Sequence, residues 1–253
     1  MRFLHLCSII VTVALACCGS SRSAVLYDGS TGQTPNQQGW FYSSGVSADQ
    51  TNTSTFTTFD STDPMTDQAG YTSIIHPLMG EMNRAGGFVV RFTVRIASES
   101  HSSDHRSGFS VIAIAEDLKG VELAFWEDEL WAQQDGTPLF QRDPAESVSF
   151  DTTASLIRYE LSVLGDNYTL SAPGMTDLTG ALKDYTAFDH VAAGLPADPY
   201  EIPSFLFFGD DTGSGEAVVE LTFIEVVPEP VTAVVLLTGF AAVLAKRKRR
   251  AAV

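Results

Sequence analysis

The sequence predicts an all-β fold, a jelly-roll-like antiparallel β-sandwich, flanked by an N-terminal signal helix and a C-terminal apolar helix. Three observations predict it. Residues 87–96, GFVVRFTVRI, alternate apolar and polar side chains with period two, as a strand with one buried face does. Turn-forming groups such as Asp135-Gly136 and Pro173-Gly174 recur between segments of this kind. An unbroken apolar run stands near each end of the chain, while the middle shows almost no helical periodicity.

The first element in chain order is residues 1–24. Arg2 precedes an apolar stretch from residue 3 to residue 16, and small residues follow at Gly19, Ser20, Ser21, Ser23 and Ala24. A basic start, a short apolar core and small residues make a secretory signal peptide, with signal peptidase expected to cut near Ser23 or Ala24. Ala14-Leu15-Ala16-Cys17 loosely resembles a bacterial lipoprotein box, with Ala14 where Leu is preferred. Cys7, Cys17 and Cys18 are the three cysteines, and all lie in this segment. Residues 25–253 can therefore form no disulfide and no thiolate metal site. Roughly 200 residues bury enough surface to fold on a core alone.

Residues 25–226 form the domain. Strands are predicted over residues 40–43, 55–59, 87–96, 108–115, 121–126, 130–134, 156–164, 168–172, 204–208 and 219–224. In the segment 156–164, Ile157, Tyr159, Leu161 and Val163 oppose Arg158, Glu160 and Ser162. Near the end, Val219, Leu221 and Phe223 are expected to share one face. Asp117-Leu118-Lys119-Gly120 and Gly165-Asp166-Asn167 mark further turns. Asp128 and Glu129 are expected to form a two-residue turn between the strands at 121–126 and 130–134. Residues 177–203 read as a long surface loop. About a dozen short strands suit one sandwich, and the lack of a fixed-period repeat argues against a propeller or solenoid.

Charge narrows the partners. The whole chain has a net charge of −16, but residues 25–227 hold 8 basic and 30 acidic side chains, a net of −22. Such a domain repels phosphate backbones, so nucleic acid is excluded as a partner.

The last element is residues 227–253. An uncharged run bounded by Val231 and Ala245 leads into Lys246, Arg247, Lys248, Arg249 and Arg250. A 15-residue helix is about 22 Å long, short against a hydrocarbon core of about 30 Å. Basic residues stay on the cytoplasmic side, so this run is expected to hold the protein in the membrane transiently with the domain outside. Val227, Pro228, Glu229 and Pro230 precede it. The order of Pro-Glu-Pro, apolar segment and terminal basic cluster resembles the PEP-CTERM sorting signal of bacteria. Ala251-Ala252-Val253 extend past the usual end of that pattern. The resemblance implies processing by an exosortase and delivery to the cell surface or extracellular matrix.

A second resemblance covers the domain. Tyr27-Asp28-Gly29-Ser30, Gln38-Gly39-Trp40, the run from Asp104 to Ile112, Val121-Glu122-Leu123-Ala124-Phe125-Trp126 and the run from Phe205 to Thr212 carry it. Together they look like the choice-of-anchor class of bacterial surface domains, with the Y type among the candidates. More loosely they resemble concanavalin A-like and laminin-G-like sandwiches. This implies contact with glycans.

Chemistry-bearing groups are sparse. Glu127-Asp128-Glu129 beside Trp126 resembles a glycosidase carboxylate cluster but reads first as a solvated turn. Asp211-Thr212-Gly213 spells an aspartic-protease loop, yet those enzymes need two, and one occurs. His101, Asp104 and His105 lie in a polar loop without the spacing of a zinc site. Calcium is the expected cation, if any, with Asp28, Asp210 and Asp211 as ligand candidates. Trp40, Trp126 and Trp131 are the candidates for stacking on a sugar ring. The expected function is a non-enzymatic surface or matrix protein that contacts extracellular polysaccharide. The alternatives are a glycan hydrolase or lyase on the same sandwich, or a matrix module without a ligand. An alternating acid pair in a cleft lined by exposed Trp would favour the enzyme, a cleft with aromatics and no acid pair would favour binding, and a closed surface with buried Trp would favour the structural role.

Overall fold

The computed structural model describes residues 23–228 apart from residues 46–47, 65 and 194–196. The expected signal helix and C-terminal apolar helix fall outside the described residues. Among the described residues, no helix is long and apolar enough to cross a membrane.

The chain forms β1 (Ala24–Asp28), β2 (Phe41–Ser44), β3 (Asp49–Asn52), β4 (Thr57–Asp60) and β5 (Ala69–Thr72). It continues with β6 (Phe88–His101), β7 (Ser110–Ile114), β8 (Gly120–Phe125), β9 (Glu129–Gln133) and β10 (Arg142–Ser149). The last are β11 (Ile157–Leu164), β12 (Asn167–Ser171), β13 (Leu178–Ala181), β14 (Phe205–Asp210) and β15 (Gly215–Pro228). They make two antiparallel sheets. The eight-stranded sheet runs β13-β12-β11-β6-β15-β4-β3, with β1 also paired to β15. The seven-stranded sheet runs β10-β9-β8-β7-β14-β5-β2. The expected all-β antiparallel sandwich is observed.

The core lies between the sheets. The alternation read in residues 87–96 puts Phe88, Val90, Phe92, Val94 and Ile96 inward, all buried. From β11, Tyr159, Leu161 and Val163 meet them, and from the other sheet Val111, Leu123, Phe125, Leu206 and Phe208 do. Phe92 joins the layers, with ring centroids 5.3 Å from Tyr159, 6.1 Å from Phe125 and 5.4 Å from Phe208.

Three readings change. The register of β15 against β6 shifts between Leu221 and Phe223. This bulge turns Ile224 inward and leaves Phe223 half-buried, its ring 5.4 Å from the Arg158 guanidinium. The turn between β8 and β9 uses Glu127 and Asp128: Trp126 N donates to Glu129 O at 2.9 Å, and Glu129 begins β9. Residues 177–203 are not wholly loop, since they include β13 and a 3-10 turn at Pro199–Glu201. β1, β3, β5, β10 and β13 had no strand reading; they are short or polar and borrow their order from longer neighbours.

A buried acid ties the sheets together at one end. Ser61 Oγ donates to Asp210 Oδ2 at 2.7 Å, and Ser61 Oγ accepts from Ala217 N at 3.0 Å. Thr212 N donates to Asp210 Oδ1 at 3.0 Å. Burial pushes the Asp210 carboxyl up to about 9, against those hydrogen bonds, with Asp211 and Glu99 adding to the rise.

Phe92→Ala is expected to lower stability by about 3–5 kcal/mol in denaturant unfolding, and outward Thr93→Ala by about 0.5 kcal/mol or less. Equal losses would refute the assigned faces. The folded state keeps the Asp210 proton up to about pH 9, whereas an unfolded Asp releases it near pH 4. Its contribution is therefore complete below about pH 4 and is lost as pH rises toward 9. Asp210→Asn keeps the shape without the titration, so its stability relative to wild type should improve steadily from pH 5 to pH 8. A difference that does not move with pH would contradict this.

Candidate functional site

The outer face of the seven-stranded sheet is not left to solvent. β7 and β8 are buried on both faces, which explains why they read as nearly continuous apolar runs. Val111, Ala113, Val121, Leu123 and Phe125 belong to the inter-sheet core, whereas Ile112, Ile114 and Phe205 belong to a second cluster with Tyr185 and Tyr200. The segment after β13 covers that second face. Lys183 N donates to Gly120 O at 2.7 Å, and Tyr185 Oη donates to Gln133 O at 2.8 Å. Above the sheet, Phe140, Phe188, Tyr185 and Tyr200 pack ring against ring, with centroids 5.0–5.6 Å apart.

Beside this cover a cleft of about 380 Å³ opens over β14, β5 and β2. That volume is in the range that holds small ligands. Its floor follows one line of register across five strands. Phe41 pairs with Thr72, Thr72 with Phe207, Phe207 with Ile112, and Ile112 with Glu122. Thr72 Oγ1 has no hydrogen-bond partner among the described residues. Gly70 is required beneath Phe207, because a Cβ there would lie 2.3 Å from the ring.

The polar end of the cleft is built on Glu122 and Asp211. Glu122 projects from β8 on the face opposite Val121 and Leu123, and it is 2% exposed. Its Oε2 is joined by a short hydrogen bond from Tyr200 Oη. Asp211 follows β14 and lies within hydrogen-bonding reach of both Glu122 and Ser110. Burial pushes the Glu122 carboxyl well above the usual range, the Asp211 charge adds to the rise, and Tyr200, Arg106 and Gln133 oppose it. Burial also raises Asp211, opposed by Arg106 and by its hydrogen bonds. Burial raises Glu122 well above the usual range, so of the two adjacent carboxyls it keeps its proton more firmly, while the Arg106 charge draws Asp211 toward the ionised form. Arg106 is itself fixed by donation from Nη1 to His105 O at 2.7 Å and to Phe140 O. Phe140 takes φ +59°, a conformation few aromatic residues adopt, and so brings its carbonyl to Arg106.

The sequence candidates are distributed differently. Trp40 and Trp131 are buried, and Trp40 Nε1 donates to Leu26 O at 2.9 Å inside the core. Trp126 is half-buried, with His101 stacked on it at 4.2 Å and the Arg142 guanidinium 5.2 Å from its ring. Of the calcium candidates, Asp28 caps a 3-10 turn through Ser30 N at 2.9 Å, Asp210 is the inter-sheet tie, and Asp211 belongs to the acid pair. Among the described residues, no group of three or more His, Cys, Asp or Glu converges as a metal site. Glu129 is engaged by Arg142, and Glu127 Oε1 accepts from Glu99 N at 3.1 Å. Val227 and Pro228 are the last residues of β15, paired with Val89 and Phe88. Glu229, Pro230, the run from Val231 to Ala245 and the basic cluster lie outside the described residues. Arg106, Glu122 and Tyr200 were missed. Glu122 had a signal, an acid flanked by Val121 and Leu123 in a strand otherwise apolar.

No protein-family model matches the sequence, and no curated protein matches it. Among solved structures, the chain is similar to a carbohydrate esterase from the Shiga toxin-encoding bacteriophage phi24B, with TM-score 0.53 and 11% identity over 81% of this chain and 98% of that one. It also matches alginate lyase A1-II′ of polysaccharide lyase family 7, with TM-score 0.42 and 14% identity over 81% of this chain and 94% of that one. Alginate lyase AlgAT5 of the same family matches with TM-score 0.41 and 8% identity, over 71% of this chain and 81% of that one. The likeness to the esterase is one of fold. The expectation of a non-enzymatic module is corrected here. The solved structure that shares the fold at TM-score 0.53 is named a carbohydrate esterase, which favours the alternative, a glycan-active enzyme, over a non-enzymatic module.

Proposed function

We propose that the domain is a glycan-active hydrolytic enzyme whose cleft takes an uncharged sugar chain, with Glu122 as general acid and Asp211 as general base. The observation that carries this is the hydrogen-bonded Glu122–Asp211 pair at the end of an aromatic-lined cleft. Opposite protonation states at neighbouring carboxyls are what acid–base hydrolysis needs. Arg106 and Ser110 hold Asp211 as the carboxylate that accepts a proton from water. Tyr200 fixes the Glu122 carboxyl that supplies one to the departing oxygen. Arg106 is the only cationic side chain among the described residues lining the cleft, and its Nη1 already donates to two carbonyls. With a net charge of −22 around it, the cleft disfavours anionic polymers such as uronates.

General acid–base residues contribute about 10²–10⁴-fold in rate. Asp211→Asn and Glu122→Gln are each expected to lower hydrolysis of soluble neutral polysaccharides and their esters by that factor, with circular dichroism unchanged. Wild-type rates in either folded variant would end the assignment. Activity should fall on both the acid and alkaline sides, since only the singly protonated pair works.

The enzyme is placed outside the cell, on a jelly-roll-like domain of choice-of-anchor type. Support comes from the sequence of the two ends. Glu229→Ala, expressed in an exosortase-bearing bacterium, is expected to leave the precursor uncut on immunoblots. Normal processing of that variant would point to a plain membrane anchor instead.

A further inference from the structure

We infer that the bond cleaved in this cleft is an ester linking an apolar acyl group to a sugar, and that the acyl group lies along the row from Ile112 through Phe207 to Phe41. This rests on the reading of Glu122 and Asp211 as the acid–base pair.

Two features separate an ester from a glycosidic bond. The first is spacing. Glycosidases place their carboxyls about 5 Å apart for retention and about 6.5–9.5 Å apart for inversion, so that a sugar carbon fits between them. Glu122 and Asp211 lie within hydrogen-bonding reach of each other, closer than either separation. An anomeric carbon cannot sit between such groups. So close a pair instead faces one side of a trigonal carbonyl carbon, where a single water is both activated and followed by protonation of the leaving oxygen.

The second feature is the direction of the apolar surface. The register line leaves Glu122 and meets Ile112, Phe207, Thr72 and Phe41 on successive strands. At about 4.8 Å per strand the row is roughly 19 Å long. Ile74 flanks its far end. Phe41 and Ile74 are 48% and 54% exposed and both line the cleft, so together they give its far end an apolar surface that a ligand can cover. A plain polysaccharide offers mostly hydroxyls to such a surface. A linear or aromatic acyl group matches it, with the carbonyl at the acid pair and the sugar at the open side by Arg106 and Thr212.

The chemistry balances without any other reagent. Water oxygen bonds to the ester carbonyl carbon while Asp211 takes the water proton. The acyl carbon–oxygen bond breaks as Glu122 gives its proton to the sugar oxygen. The products are a carboxylic acid and a free sugar hydroxyl. The proton on Asp211 then passes to Glu122 through their hydrogen bond, restoring the starting state.

The test uses the full chain and methyl glucoside carrying one 6-O-acetyl, butyryl or octanoyl group, with acid release followed by titration. Unsubstituted neutral polysaccharides are assayed in parallel for new reducing ends. Acid release is expected, with kcat/KM rising about fourfold per added methylene until the row is filled. Phe41→Ser lies on an edge strand at an exposed position and should fold normally. It is expected to lower the octanoyl-to-acetyl ratio of kcat/KM by about tenfold. New reducing ends without acid release would overturn the ester assignment and leave the glycan-active reading standing. Neither product would overturn both. Acid release without dependence on chain length, or with a ratio unmoved by Phe41→Ser, would overturn the placement of the acyl group.

Discussion

The long antiparallel pairing of β6 with β15 is the contact on which the other elements depend. It runs from His101 opposite Gly215 to Phe88 opposite Pro228, two 14-residue strands joined along nearly their whole length. β11 adds to the outer side of β6, while β4 and β1 add to β15. The inward row on β6 then forms the floor onto which the second sheet closes. Residues far apart in sequence must meet for this pairing to form, so it carries the entropy of closing a long loop.

The second constraint is the cost of burying a carboxyl. Asp210 and Glu122 are buried and Asp211 is half-buried, so none is fully hydrated, and each meets the problem differently. Asp210 holds its proton and ties Ser61, Thr212 and, through Ser61, Ala217 across the sandwich end. Of Glu122 and Asp211, the first keeps its proton more firmly, with Tyr200 on one side and Arg106 on the other. A core acid of the first kind stabilises a single arrangement. An acid pair of the second kind, open to a cleft, retains one group that can give a proton and one that can take it. Asp210 lines the same cleft, but its carboxyl oxygens are engaged by Ser61 and Thr212.

The fold was legible because the strongest strands each have one buried face. Phe88 to Ile96 and Tyr159 to Val163 put their inward residues where the alternation reads them, although Val89 on the other face is also buried. The site was less legible. Its acids come from β8 and from the end of β14, about 90 residues apart in sequence, and nothing local links them. Glu122 is an anomaly in an apolar strand, but an anomaly alone does not say what it faces. The adjacent triplet Glu127-Asp128-Glu129 drew attention by proximity in sequence, yet Glu127 and Asp128 form a turn and Glu129 is held by Arg142. The tryptophans drew attention by residue type, while the cleft is lined by phenylalanine and tyrosine.

Sequence alone determined the antiparallel all-β class, the absence of thiols after residue 24 and the strong acidity of the domain, because these follow from periodicity and composition. It also set the inward faces of the long strands, since period two leaves one choice once a face is apolar. Tertiary structure alone decided that β7 and β8 are covered on both sides, that a bulge exchanges Phe223 for Ile224, and that Glu122 meets Asp211. Those facts arise from packing between segments distant in the chain. A buried charge takes its character from what surrounds it in space, and one-dimensional spacing does not encode that surrounding.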